Sequence, residues 1–126
     1  MAKARLGRTA TRVRWLVADI TAWRPDRTYS IWHDRAVFHF LTEPDQREAY
    51  RSALDAGTGP GSLMIVATFA PDGPERCSGL PIRRYDAATL AAELGSAFVL
   101  ERAWREEHRT PGGRGQMFQW CTLRRV

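Results

Sequence analysis

Apolar and polar positions along this 126-residue chain break into short runs that predict short strands and short helices in turn. "VRWLVADI" (Val13 to Ile20) is a nearly continuous apolar run ending in Asp19, the pattern of a strand buried on both faces of a parallel sheet. The "MAKARLG" before it reads as the last turns of a helix closed by Gly7. After the turn "WRPDRT" comes "YSIWHD", a second short strand, then "RAVFHFL", whose Val37, Phe38, Phe40 and Leu41 cover one side of a short helix. "EPDQREAYRSALDAG" carries Pro44 near its start and Gly57 past its end, the asymmetry of a helix. "GSLMIVATFA" is the strongest strand signal, and "YDAATLAAELG" is an amphipathic helix with Asp86 as its N-cap. "AFVLERAWREEH" and "GQMFQWCTLRRV" read as two strands joined by the turn "RTPGGRG". Strands alternating with helices predict an α/β layered domain with a mostly parallel sheet, to which the closing hairpin adds an antiparallel strand.

Composition narrows this picture without redrawing it. With 44% apolar and 26% charged residues, the chain is expected to form one globular domain with room for one site. All but Lys3 of the 19 basic residues are arginine, spread from Arg5 to Arg125, and the formal charge is +5. Such a charge could draw nucleic acid or an acidic partner. Acidic residues (Asp19, Asp26, Asp34, Glu43, Asp45, Glu48) interleave with the basic ones and no stripe of basic and aromatic residues is visible, so nucleic-acid binding is the minor alternative. Cys77 and Cys121 form no CxxC pair, no histidine has zinc-finger spacing, and no metal is expected. Residues 1–12 lack an apolar signal core, and no apolar run approaches the ~20 residues of a membrane span. A cytoplasmic protein with reduced thiols and no membrane contact is the expectation.

Two glycine-rich stretches test the idea of a phosphate or cofactor cradle. "AGTGPG" (Ala56 to Gly61) follows a helix and precedes a strand, the reverse of a strand-loop-helix cradle, and reads as the turn into "SLMIVATF". "PGGRG" reads as a hairpin turn.

Taken together, "VRWLVADITAW", "YSIWHDRAVFHFLTEPDQREAY", "GPGSLMIVATFAPDGPERCSGLPIRRYD" and "EEHRTPGGRGQMFQWCTLRR" resemble the small class I S-adenosylmethionine-dependent methyltransferases, from about Ala2 to the end. The match is to the later part of that Rossmann-like domain. The family begins with a strand, a Gly-rich loop and a helix, then a second strand ending in an acidic residue, and this chain has neither. The expectation is therefore a single, N-terminally truncated domain over residues 1–126. S-adenosyl-L-methionine is the implied cofactor. The substrate would be a small molecule or a protein side chain.

The resemblance implies roles for particular residues. Asp19 would accept a hydrogen bond from the adenine amino group and the backbone of Ile20 would meet the ring; otherwise Asp19 starts a turn. His33, Asp34 and Arg35 would line the cofactor pocket beside the methionine part. A neutral His33 could take a proton from the nucleophile, whereas Asp34 could instead cap the next helix. His39, set between phenylalanines, reads as a packed core residue. "APDGPERCSGLPIRRY" (Ala70 to Tyr85) is a candidate substrate loop offering Cys77, Ser78 and Tyr85, or else a long surface connection. His108 could reach the same rim or sit on a solvated hairpin tip. In the family the two missing strands lie between "VRWLVADI" and "YSIWHD". Their loss should leave the first segment poorly anchored, change the sheet order, or lead two copies to complete each other. A non-catalytic module of the same ancestry is the competing expectation.

Overall fold

The computed structural model describes residues 5–126. Its centre is a four-stranded sheet in the order β1-β2-β6-β5, built from β1 (Tyr29–Arg35), β2 (Thr58–Phe69), β5 (Phe98–Arg109) and β6 (Gly115–Arg125). β1 and β2 pair in parallel, with Ile31 opposite Leu63 and Arg35 opposite Ala67. β6 pairs antiparallel with both β2 and β5. Three strands thus share one direction and only the closing β6 opposes them, as the alternation of elements predicts. A two-residue hairpin, β3 (Arg76–Cys77) with β4 (Leu80–Pro81), interrupts the long connection after β2.

Two helices cover one face of the sheet: α1 (Pro44–Ala56) and α2 (Ala87–Leu94). α1 starts with proline at its first turn, and the Gln46 side chain accepts from the Glu43 amide at 3.1 Å. Asp86 caps α2 as its sequence predicts, with its carboxylate 2.8 Å from the Thr89 amide. Gly57, just past α1, has no space for a side chain: a Cβ there would meet Trp32 at 3.0 Å and Pro25 at 3.1 Å. The helices are tied together by buried Arg47, whose Nε lies 2.5 Å from Glu93 and whose Nη1 donates to the Leu41 carbonyl.

The main core lies between the helices and this face, joining Met64, Val66, Cys121 and Leu123 of the sheet to Phe38, Tyr50, Leu54, Leu90 and Leu94. A smaller cluster of Ala67, Phe69 and Phe118 sits near the carboxyl end of β2, with Cys77 and Ile82 packed against it. Strand alternation puts the neighbouring residues on the other face, where Ile31 and Trp104 are exposed. No helix of the described residues is long and apolar enough to cross a membrane.

The first predicted strand is the main correction. Val13 to Ile20 joins no ladder: residues 14–19 have no assigned secondary structure, and Val17 is fully exposed. An apolar run becomes a strand only when another strand offers hydrogen-bonding groups beside it, and none does here. Of the predicted helix over "MAKARLG", the first four residues lie outside the described part. Gly7 takes a left-handed φ of 57°, and a 3-10 segment runs from Gly7 to Arg12. "RAVFHFL" also folds more tightly than predicted, as the 3-10 turn Phe38–Phe40.

Candidate functional site

The parallel strands end on one edge of the sheet, and of the residues singled out in the sequence His33, Asp34, Arg35 and His108 lie along it. Arg35 closes β1, Phe69 closes β2 and His108 lies one residue from the end of β5. Ligands of open α/β sheets bind outside such carboxyl ends. A cleft of about 300 Å³ opens there, lined by Ile20, Trp32, His33, Asp34, Arg35, Val37 and Tyr50. The cleft brings together four of the five proposed cofactor contacts. Asp19 is not among its lining residues.

The carboxylate of Asp34 is the organising group. It is buried and accepts from the amides of Val37 (2.9 Å) and Phe38 (3.1 Å), which closes the turn after β1. It also accepts from the Tyr50 hydroxyl at 2.5 Å, and that hydroxyl accepts from Trp32 Nε1 at 3.0 Å. Burial pushes the Asp34 carboxyl above its ordinary range, and the three donors act against that shift. Burial and the adjacent carboxylate drive the Tyr50 hydroxyl well above its usual value, so it stays a donor. Asp34 thus holds the turn ahead of Phe38–Phe40, whose own N-cap position is Val37, and among the described residues it makes no ion pair with an arginine. The bonds also hold Ala36 at a φ of 63°, a left-handed conformation that costs a non-glycine residue roughly 1 kcal/mol.

His33 and Arg35 point the other way from Asp34 along the strand and are exposed. The His33 ring stacks at 6.0 Å on Trp120, which stacks at 5.8 Å on Trp104. The Arg35 guanidinium lies 4.7 Å over the Phe118 ring. His108, half-buried, meets the same Phe118 ring edge-on at 6.3 Å. This aromatic row of Trp104, Trp120 and Phe118 was not anticipated as site-forming. Its signal was present in the alternation of "MFQW" with "AWREEH", which places all three rings on one sheet face.

His39 is fully buried, and its Nδ1 accepts from the Phe69 amide at 3.0 Å. Its proton therefore sits on Nε2, which has no partner. Burial lowers its pKa to about 4. His39 is a neutral strut between the turn and β2, as its place between phenylalanines suggests.

Asp19 faces solvent and binds its own turn, accepting from the Thr21 amide at 2.9 Å and hydroxyl at 2.7 Å, both of which lower its pKa. Its turn-starting alternative is what these contacts describe. The loop residues also separate. Cys77 is half-buried against the small cluster. Ser78 and Gly79, at φ of 51° and 76°, form the tight turn between β3 and β4. Tyr85 lies apart from Cys77 and Ser78. It is buried in the main core, its ring 5.6 Å from Phe38, and burial pushes its hydroxyl up to about 12. The chain returns to the sheet there, since the Tyr85 amide donates to the Phe69 carbonyl. "AGTGPG", expected as a turn, is mostly strand: Ala56 ends α1, Gly57 alone makes the connection and Thr58 to Gly61 already belong to β2, where Gly59 and Gly61 line a separate hollow near the start of β1.

No family model and no curated protein matches the sequence. Solved structures do. A 1,6-didemethyltoxoflavin-N1-methyltransferase of Burkholderia thailandensis, with bound 1,6-didemethyltoxoflavin and S-adenosylhomocysteine, matches with a TM-score of 0.72 and 19% identity over 99% of this chain and 55% of its own. The N-methyltransferase NodS of Bradyrhizobium japonicum, in complex with S-adenosylhomocysteine, matches with a TM-score of 0.69 and 14% identity over 98% of this chain and 61% of its own. A SAM-dependent methyltransferase of Methanosarcina mazei matches with a TM-score of 0.67 and 12% identity, covering 97% and 76%. At these identities the likeness is one of fold: the chain has the class I methyltransferase fold, over little more than half to three quarters of the length of these proteins.

Proposed function

We propose that the chain belongs to an S-adenosyl-L-methionine-dependent methyltransferase, with the cleft at the carboxyl end of β1 as one wall of its cofactor site. The observation that carries this reading is the convergence of Ile20, His33, Asp34 and Arg35 on that cleft, in a chain whose fold is that of proteins crystallised with S-adenosylhomocysteine. The residues present fit the cofactor in part. Ile20, Trp32 and Val37 give an apolar surface for a flat or aliphatic moiety, and Arg35 gives a cation that no carboxylate among the described residues neutralises. Neither aspartate near the cleft is uncommitted, and no Gly-rich strand-loop-helix occurs among the described residues. Bound S-adenosylmethionine would supply an activated methyl group. The chain's own part is to align a nucleophile with that methyl and keep water away. In this reading His33 takes the nucleophile's proton, and Cys77, Ser78 and His108 border the substrate side, for a small molecule or a protein side chain. Asp19 would still offer its remaining lone pairs to the adenine amino group.

In this reading the described residues form one wall of the site, and the chain by itself should bind S-adenosylhomocysteine weakly. A titration followed by amide chemical shifts tests the reading. Perturbations at Ile20, His33, Arg35 and Val37 are expected. Perturbations confined to Gly59 and Gly61, or none at saturating solubility, would remove it. One observation favours a second reading, a non-catalytic interaction module: the carboxylates of Asp19 and Asp34 are both engaged by the chain's own turns. That module would give the second outcome of the titration.

A further inference from the structure

Two features of the described residues complement each other. β1 has β2 on one edge and no strand on the other. Its exposed residues, Ser30, Ile31, His33 and Arg35, include neither the proline nor the lysine that commonly blunts a sheet edge. The run Val13 to Ile20 is rich in strand-forming residues, exposes Val13, Trp15, Leu16 and Val17, and belongs to no ladder. Shallow clefts flank the two: one lined by Leu16, Ala18, Ile20 and Trp23, the other joining Ile20 to Trp32, His33 and Val37 of the β1 end.

We propose that two copies of the chain associate by exchanging this segment, the Val13 to Ile20 run of each adding as a strand to the free edge of β1 in the other. Such an exchange is reciprocal and closed under a two-fold axis. The connection decides between one copy and two. A parallel strand needs a crossover of about a dozen residues or more, whereas only residues 21–28 separate the run from β1. The turn in which Ala22 and Trp23 both donate to the Asp19 carbonyl shortens that connection further. A second copy has no such limit. Charge agrees with the parallel pairing: Arg14 and Asp19 are spaced as are Ser30 and Arg35, so aligning them brings the Asp19 carboxylate to the Arg35 guanidinium, which rests on the Phe118 ring and has no carboxylate partner among the described residues. The exchange requires no cofactor.

Sedimentation velocity across a dilution series, without any ligand, tests the proposal, with hydrogen exchange as a second readout. The parent chain should form dimers whose residues 14–18 exchange their amides slowly. Val17→Pro removes an amide from the added strand, and Ile31→Lys places a charge on the receiving edge. Each should raise the dissociation constant on the order of tenfold or more while leaving the circular dichroism of the monomer unchanged. A parent that stays monomeric overturns the proposal. So does a dimer that both substitutions leave intact, or one in which those amides exchange freely. Because these measurements are made without ligand, a monomeric parent overturns the exchange and leaves the cofactor reading to its own titration, performed at concentrations where the chain is monomeric.

Discussion

The chain contains two apolar runs that end in aspartate, Val13 to Asp19 and Tyr29 to Asp34, and they meet opposite fates. The second is a strand whose aspartate is buried under two backbone amides and a tyrosine hydroxyl. The first is an exposed stretch whose aspartate caps a local turn with Thr21. Propensity is comparable in both. What differs is the neighbour: β2 supplies a ladder and α1 supplies Tyr50 for the second, and no described strand faces the first. Strand propensity states which residues tolerate a sheet, and the sheet itself decides whether they enter it.

The sharpest way to break the contrast is to remove each aspartate. Asp34→Ala leaves the amides of Val37 and Phe38 and the Tyr50 hydroxyl without an acceptor in a buried site. The expected cost is about 4 kcal/mol, read as a lowered denaturation midpoint at unchanged slope. Asp19→Ala, at a solvated turn, should leave that midpoint within error of the parent. Equal losses in the two variants would show that the two runs are not distinguished by burial.

His39 gives the contrast a pH axis, because it locks the turn after β1 to β2 and the Val13 run has no such strut. Its folded pKa of about 4 lies below the ordinary 6.5, so the native state binds fewer protons than the unfolded chain between those values. Stability from this group is full above about 6.5 and is lost as pH falls toward about 4, by roughly 3 kcal/mol in all. Protonation would also set a new N–H against the donating Phe69 amide. Asp34 acts in the opposite sense: with a raised folded pKa, its contribution is lost as pH rises through that value. His39→Asn keeps an acceptor and removes the titration, so the parent-minus-variant difference isolates His39. A difference that stays flat from pH 7 to about 4 would reject the assignment.

Much of this was legible in the sequence. The cap at Asp86, the start of α1 at Pro44, β2 and the closing hairpin follow from local signals that the fold then satisfies. So does the grouping of His33, Asp34 and Arg35 at a strand end. The run at Val13 misled because its pattern is local while its pairing is not. The burial of Tyr85 was not legible, because a polar-looking loop hides the point where the chain re-enters the core. The Trp32, Tyr50 and Asp34 chain was not readable, since it joins a strand to a helix position 16 residues later through tertiary packing alone.

That chain supports a smaller test. Tyr50→Phe keeps the ring in contact with Phe38 at 4.8 Å but deletes the hydroxyl between Trp32 and Asp34. The indole N–H and one carboxylate oxygen each lose a partner, for an expected cost of about 1 to 2 kcal/mol. A loss well above this would mean that the ring also shifts, which the near-ultraviolet circular dichroism of Trp32 would register.

The smallest effect belongs to the other run. Val17 is fully exposed and touches no core cluster, so Val17→Ser removes no buried surface from a single chain. At concentrations where the protein is monomeric the change should stay within about 0.5 kcal/mol. The same substitution in a strand buried on both faces would cost several times more, since a valine side chain gives up roughly 2 kcal/mol of transfer free energy when it is exposed. A neutral result at low concentration together with a clear loss at high concentration would place the run's missing neighbour in a second chain. A large loss at every concentration would mean that Val13 to Ile20 is already packed within one chain, and the difference between the two runs would dissolve.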